Sequence, residues 1–117
     1  MNDWLRLLFE AIDAKDVRKF ASCLGDDVRF RFGSTPAVTG KAQVVQAVAG
    51  FFGSVQGLQH RVTKVWQEPD AVICEGEVAY TRRDGRAIVA PFLNVLRVRE
   101  GLVRDYRVYV DASALYS

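Results

Sequence analysis

The residues best suited to chemistry lie in the second half of the chain. Asp111 is a candidate general base, with Tyr109 and His60 as its catalytic companions. A carboxylate can take a proton, an imidazole moves protons near neutral pH, and a phenol donates a hydrogen bond to oxygen that is gaining negative charge. Glu75, Glu77, Phe92, Asn94 and Arg107 are candidate substrate-binding residues. Two acids in one pocket need a cation, and Arg107 is the expected partner. Each assignment has a plainer reading beside it. Asp111 can cap the short segment that follows it, His60 can be a satisfied core histidine, and the glutamates can pair with Lys64 and Arg107.

Spacing is what gathers these residues. Glu100-Gly101 separates two runs of alternating β-formers and suits a two-residue hairpin turn, since glycine takes positive φ without strain. Counting outward from Arg99 and Leu102 sets Leu96 against Asp105, Asn94 against Arg107, Phe92 against Tyr109 and Ala90 against Asp111. A turn at Asp84-Gly85 then sets Glu75 against Asn94 and Glu77 against Phe92. A turn at Pro69-Asp70 sets Lys64 against Glu75 and His60 against Ala79. With period-two alternation, the inner face receives His60, Lys64, Glu75, Glu77, Asn94, Arg107, Tyr109 and Asp111. The outer face receives Leu93, Val95, Tyr106, Val108 and Val110. A single bulge reverses any of these assignments, because one residue of slip turns a strand over.

Helices must close this sheet, and they come first. Leu5, Leu8, Phe9 and Ile12 recur at helical spacing across residues 3–14. Asp16 caps a second, shorter helix carrying Val17, Phe20, Ala21 and Leu24, with Gly25 placed to end it. VRFRFG then reads as a strand, broken at Ser34-Thr35-Pro36. A third helix after Gly40 buries Val44, Val45, Val48, Phe51 and Phe52. From Gln59 onward the pattern is strands alone. The expected architecture is α+β: three helices first, then a four-strand antiparallel meander, whose bent sheet wrapped over the helices would enclose a cavity.

With 117 residues, half of them hydrophobic, the chain is expected to form a single domain spanning 1–117. A net charge of +2 gives no electrostatic case for nucleic acid. No apolar run reaches membrane-spanning length and no leader pattern is present, so no membrane partner and a cytoplasmic location are expected. Cys23 and Cys74 lack metal or redox spacing.

The order of landmarks resembles the SnoaL-like branch of the nuclear transport factor two superfamily. These are the paired N-terminal helices, Asp27-Val28 entering a strand, Gly40-Lys41 opening the third helix, His60 starting a strand, Asp84-Gly85, and Glu100-Gly101-Leu102 leading to Tyr109-Val110-Asp111. The resemblance covers nearly the whole chain. It implies a cone-shaped, curved antiparallel sheet closed by three N-terminal helices, a cystatin-like α+β barrel, with a ligand cavity inside the cone. It implies too a homodimer through the outer sheet face, which the apolar outer strip fits on its own terms. It also implies a working carboxylate at Asp111, as in polyketide cyclases. Other family devices are missing. Limonene epoxide hydrolases carry Arg-x-Asp where this chain has Glu75-Gly76-Glu77. Ketosteroid isomerases use a tyrosine on the first helix, where this chain has Trp4 and Phe9.

Two functions follow. One is a cofactor-independent isomerase, cyclase or hydrolase acting by acid–base chemistry on a small, largely apolar, oxygenated molecule. The other is a non-catalytic small-ligand-binding or dimeric interaction module. Neither requires a metal.

Overall fold

The computed structural model describes residues 2–116. Helix α1 (Asp3–Asp13) turns Leu5, Leu8, Phe9, Ala11 and Ile12 into the core. Asn2 starts it with its backbone carbonyl, which accepts from the Arg6 N–H at 3.0 Å. Asp16 caps α2 (Val17–Ser22) as expected, accepting from the Lys19 N–H at 3.1 Å. Lys15, between the two helices, takes a left-handed φ of 53°. Its ammonium donates to the Phe52 and Val55 carbonyls at 3.2 and 3.0 Å. Those oxygens lie at the end of α3 (Lys41–Ser54), where helical carbonyls run out of partners. One lysine therefore ties the α1–α2 corner to α3.

Gly25 does not end α2. The helix stops at Ser22, and Gly25 lies inside strand β1 (Leu24–Phe32). Its glycine answers a steric need, since a Cβ there would come within 2.6 Å of the Arg104 guanidinium. Arg104 crosses this position to reach Asp27 at 2.9 Å.

After β1 come the short β2 (Val38–Thr39) and four long strands: β3 (Gly57–Gln67), β4 (Val72–Thr81), β5 (Ala87–Arg99) and β6 (Leu102–Val110). The sheet order is β2-β1-β6-β5-β4-β3. The strands β3 to β6 form the expected antiparallel meander. β1 joins it by parallel pairing with β6, with β2 antiparallel at the edge. The helices cover the inner face of this curved, unclosed sheet, so the fold is the α+β cone read from the sequence.

The register departs from expectation at three places. Glu100 and Gly101 do form the turn, at φ 57° and 75°, and Arg99 does pair with Leu102. Arg104 is then an extra residue: Val98 pairs with Val103, but Arg97 pairs with Asp105. From there β6 is reversed, so that Leu96 faces Tyr106, Asn94 faces Val108 and Phe92 faces Val110. At Asp84-Gly85 the loop holds three residues, closed by the Arg82 N–H donating to the Arg86 carbonyl at 2.8 Å. Gly85, at φ 88°, takes the left-handed position of such a loop. Cys74 therefore faces Asn94 and Gly76 faces Phe92, which turns Glu75 and Glu77 outward. Lys64 does pair with Glu75, but Thr63 is bulged, and His60 faces Val78 instead of Ala79.

The inner face is consequently Cys74, Val78 and Tyr80 on β4, Phe92, Asn94 and Leu96 on β5, and Tyr106 and Val108 on β6. The outer apolar strip is corrected in the same way. Leu93 and Val95 stay outside, while Tyr106, Val108 and Val110 belong to the inner side. Ile73 and Tyr109 complete the outer strip in their place.

Candidate functional site

A cavity of about 520 Å³ lies between the inner sheet face and the helices. β1 supplies Phe30 and Phe32, α3 supplies Phe51, β4 supplies Tyr80, and β6 supplies Tyr106 and Val108. The rings brace one another edge to face, Phe30 on Tyr106 at 5.4 Å and Phe51 on Tyr80 at 5.9 Å between centroids. Residues 35–38 and Tyr116 form its rim. Among the described residues, no lysine, arginine or carboxylate lines it.

His60 is the one imidazole of the chain, and it borders this cavity. Its side chain is 9% exposed and that of Asp13 is 25% exposed. The Nδ1 of His60 lies 2.6 Å from Asp13 Oδ1, and the His60 backbone N–H donates to Asp13 Oδ2 at 2.9 Å. An ionised carboxylate only accepts, so the short contact assigns a ring proton to Nδ1; in the neutral imidazole Nε2 is then the acceptor. No described residue bonds Nε2. Phe9 and Phe92 hold the ring at 4.8 and 5.1 Å between centroids. Asp13 ends α1, where the helix dipole disfavours a negative charge, and the two donors from His60 offset this.

Two phenols face the same space. Burial pushes the Tyr80 hydroxyl up to about 12, with the Tyr116 phenol adding to the effect. Burial likewise raises Tyr106, and its coupling to the neighbouring Cys74, Tyr80 and Asp13 acts in the same direction. Both are therefore neutral hydrogen-bond donors. An acid whose folded pKa exceeds its unfolded value contributes stability that is present below the unfolded pKa and lost as pH rises. The chain is thus expected to lose stability from about pH 10, where free tyrosine ionises, to about pH 12, where Tyr80 does. Urea midpoints across that range should fall for the wild type and fall less for Tyr80→Phe. Equal slopes would remove Tyr80 as the cause.

The predicted site residues divide. His60, Phe92 and Asn94 are on the inner face, and of these His60 borders the cavity. Phe92 packs on His60. Asn94 is 1% exposed, and neither amide atom has a hydrogen-bond partner. Glu75, Glu77, Arg107, Tyr109 and Asp111 are not brought to the cavity, because of the loop and bulge described above. Glu77 pairs with Arg61 at 2.6 Å and Arg107 with Asp105 at 3.1 Å on the outer face. Lys64 lies over Trp66, 4.9 Å from the ring. Tyr109 is 53% exposed. Asp111 is exposed and accepts from the Ser113 N–H at 3.0 Å; the Ser113 side chain first, and this backbone bond after it, hold its carboxyl below the usual carboxylate range. The plain capping role describes its position.

Asp13, Tyr80 and Tyr106 were absent from the candidate list. Asp13 had a legible signal, because Phe9 and Asp13 stand four apart on one helix face and an acid there needs a partner in the sheet. The tyrosines were hidden by the register.

A family model described as a SnoaL-like domain matches residues 5–106. No curated protein matches the chain. Solved structures match over nearly its whole length at low identity. One is a hypothetical protein with a ketosteroid isomerase-like fold from Catenulispora acidiphila, in complex with trimethylamine. Its TM-score is 0.89 at 14% identity, covering 98% of this chain and 90% of that one. A putative SnoaL-like polyketide cyclase from Jannaschia gives 0.83 at 21%, covering 97% and 86%. An LEH-like epoxide hydrolase from M. tuberculosis gives 0.82 at 18%, covering 97% and 84%.

Proposed function

The chain belongs to the SnoaL-like domain family, and as a reading of this member we propose that its cavity binds a small, largely apolar, oxygenated molecule on which His60 acts as general base. The observation that carries this is the Asp13 carboxylate holding His60 by two hydrogen bonds, one from its buried imidazole and one from its backbone N–H, in the wall of a cavity with no lysine, arginine or carboxylate among its described lining residues. His60 Nε2 would take a proton from the ligand, and Asp13 would stabilise the imidazolium that forms. The Tyr80 and Tyr106 hydroxyls would donate to the oxygen that gains charge. Returning the proton to another carbon completes an isomerisation; returning it to the oxyanion formed when the resulting carbanion adds to a second carbonyl of the same ligand completes a cyclisation. The absence of a lysine or arginine among the described lining residues favours neutral ligands over carboxylates and phosphates.

The test begins with a thermal-shift screen of neutral ketones, phenols and quinones, followed by turnover assays on those that bind. His60→Gln is expected to keep binding and to lower turnover by about 10²–10⁴-fold, the range of a general base. Ligands that bind without turnover in the wild type would favour the non-catalytic binding module. Unaltered turnover in His60→Gln would remove the base.

The outer sheet face supports a homodimer. Ile73, Leu93, Val95 and Tyr109 form an apolar strip rimmed by the pairs Arg61–Glu77, Arg97–Asp70 and Arg107–Asp105. Val95→Glu is expected to give folded monomers in sedimentation, because an unpaired charge in an interface core costs about 3–5 kcal/mol. A wild type that sediments as a monomer at high micromolar concentration would overturn the assembly. No described helix is long and apolar enough to cross a membrane. The free thiols of Cys23 and Cys74 support a reducing, cytoplasmic setting.

A further inference from the structure

We propose that the turn following β6 is part of the ligand site: Asp111 and Arg82 hold residues 113–116 against the cavity mouth, so that Tyr116 forms its outer wall and sets the length of ligand the cavity accepts. The proposal rests on the ligand-binding reading given above.

Past Val110 the chain reverses through a single turn of 3₁₀ helix, Ser113–Leu115. Three bonds shape the reversal. Asp111 Oδ1 accepts from the Ser113 N–H at 3.0 Å. The Leu115 N–H donates to the Ala112 carbonyl at 3.0 Å, and the Tyr116 N–H to the Ser113 carbonyl at 3.1 Å. Arg82 reaches across from the end of β4 and donates to the Ala114 carbonyl at 3.2 Å, while its guanidinium also pairs with Asp84 at 3.1 Å. Leu115 is driven into the core, which fixes the direction in which its neighbour leaves.

Tyr116 borders two spaces at once. It lines the 520 Å³ cavity, and it lines a separate surface pocket of about 340 Å³ beside Arg82 and Leu115. Tyr116 is thus the residue the two spaces share. It is 68% exposed, so backbone anchors and Leu115 hold it in place while its own face stays available to a ligand. Tyr80 lines the same cavity, so a ligand held against Tyr116 shares its space with a second phenol. Tyr116 also lies beyond residues 5–106, so this wall belongs to the chain outside the family match. Asp111 acts here as a positioning residue, through the turn it caps.

The experiment uses the full chain and a neutral fluorescent probe, N-phenylnaphthylamine, displaced by naphthol or by the longer anthrol. The wild type should bind naphthol more tightly than anthrol. Tyr116→Ala should weaken naphthol by roughly fivefold, the size of one aromatic contact, and should narrow or reverse the preference against anthrol. Tyr116→Phe should restore the length preference while keeping the weaker grip on the hydroxyl. Asp111→Ala should shift the preference in the same direction as Tyr116→Ala. The double variant should add nothing to Tyr116→Ala, since the two residues act as one unit. Ala47→Trp, which fills the mouth from α3, separates the two levels of the argument. Probe uptake that survives Ala47→Trp unchanged overturns the cavity reading and this proposal with it. Uptake lost in Ala47→Trp but indifferent to Tyr116→Ala, in both affinity and length preference, overturns the role of Tyr116 alone.

Discussion

Gly76→Val is expected to leave little folded protein, with a loss of more than about 4 kcal/mol, the range reserved for changes with a definite structural cause. Gly76 stands opposite the Thr63 bulge. A Cβ there would overlap the Arg61 carbonyl oxygen and lie 2.9 Å from the Arg61 carbonyl carbon and the Val62 Cα. These are backbone atoms, so no side chain can swing aside. Relief would require β3 to give up its bulge, and losing one residue of offset would turn His60 out of the wall. Even Gly76→Ala should lower the urea midpoint steeply. Gly50→Ala is the control, because its Cβ meets nothing within 4 Å and alanine is the better residue in the interior of a helix. That variant should gain about 0.5–1 kcal/mol. A stable, native-like Gly76→Val would show that the bulge is not held by this glycine.

Asp13→Ala is expected to cost about 2–4 kcal/mol, because it removes two hydrogen bonds, both to its carboxylate, and orphans the His60 backbone N–H. The larger effect falls on the ring. With a single histidine in the chain, its nitrogen resonances need no assignment. The wild type should show the proton on Nδ1. Asp13→Ala should show a mixture of tautomers, and Asp13→Glu should recover the wild-type signature in part. Turnover on any substrate should fall with the tautomer signal and not with stability alone. An unchanged Nδ1 signature in Asp13→Ala would show that the pair does not orient the base.

The helical faces were legible because their signal repeats: one misjudged residue leaves Leu5, Leu8, Phe9 and Ile12 on the same stripe. The Glu100-Gly101 turn was legible because two positive φ angles narrow the chemistry to few residue pairs. Strand faces carry no such redundancy. The extra residue at Arg104 moved Arg107, Tyr109 and Asp111 out together and brought Tyr106 and Val108 in. The three-residue loop at Gly85 did the same to Glu75 and Glu77. Neither Arg104 nor Thr63 announces a bulge by its type, since what holds each is a partner far away in sequence: Asp27 for Arg104, and Gly76 for the Thr63 bulge. His60, Phe92 and Asn94 kept their predicted side because the bulge and the loop left them facing inward.

The pairing of β1 with β6 has a consequence for the order in which the chain can fold. Leu24 meets Val103 and Phe32 meets Val108, so an early strand, apart from its short pairing with β2, finds its long partner in the last one. Everything between must be gathered before that parallel ladder can form, a loop-closure cost that slows folding. During synthesis the helices and β1 wait with Phe30 and Phe32 unsheltered, while the antiparallel hairpins of β3 to β6 can assemble locally as they emerge. Late closure of β1 onto β6 is then the step that encloses the cavity, and chains interrupted before β6 would expose the aromatic lining that a finished molecule keeps inside.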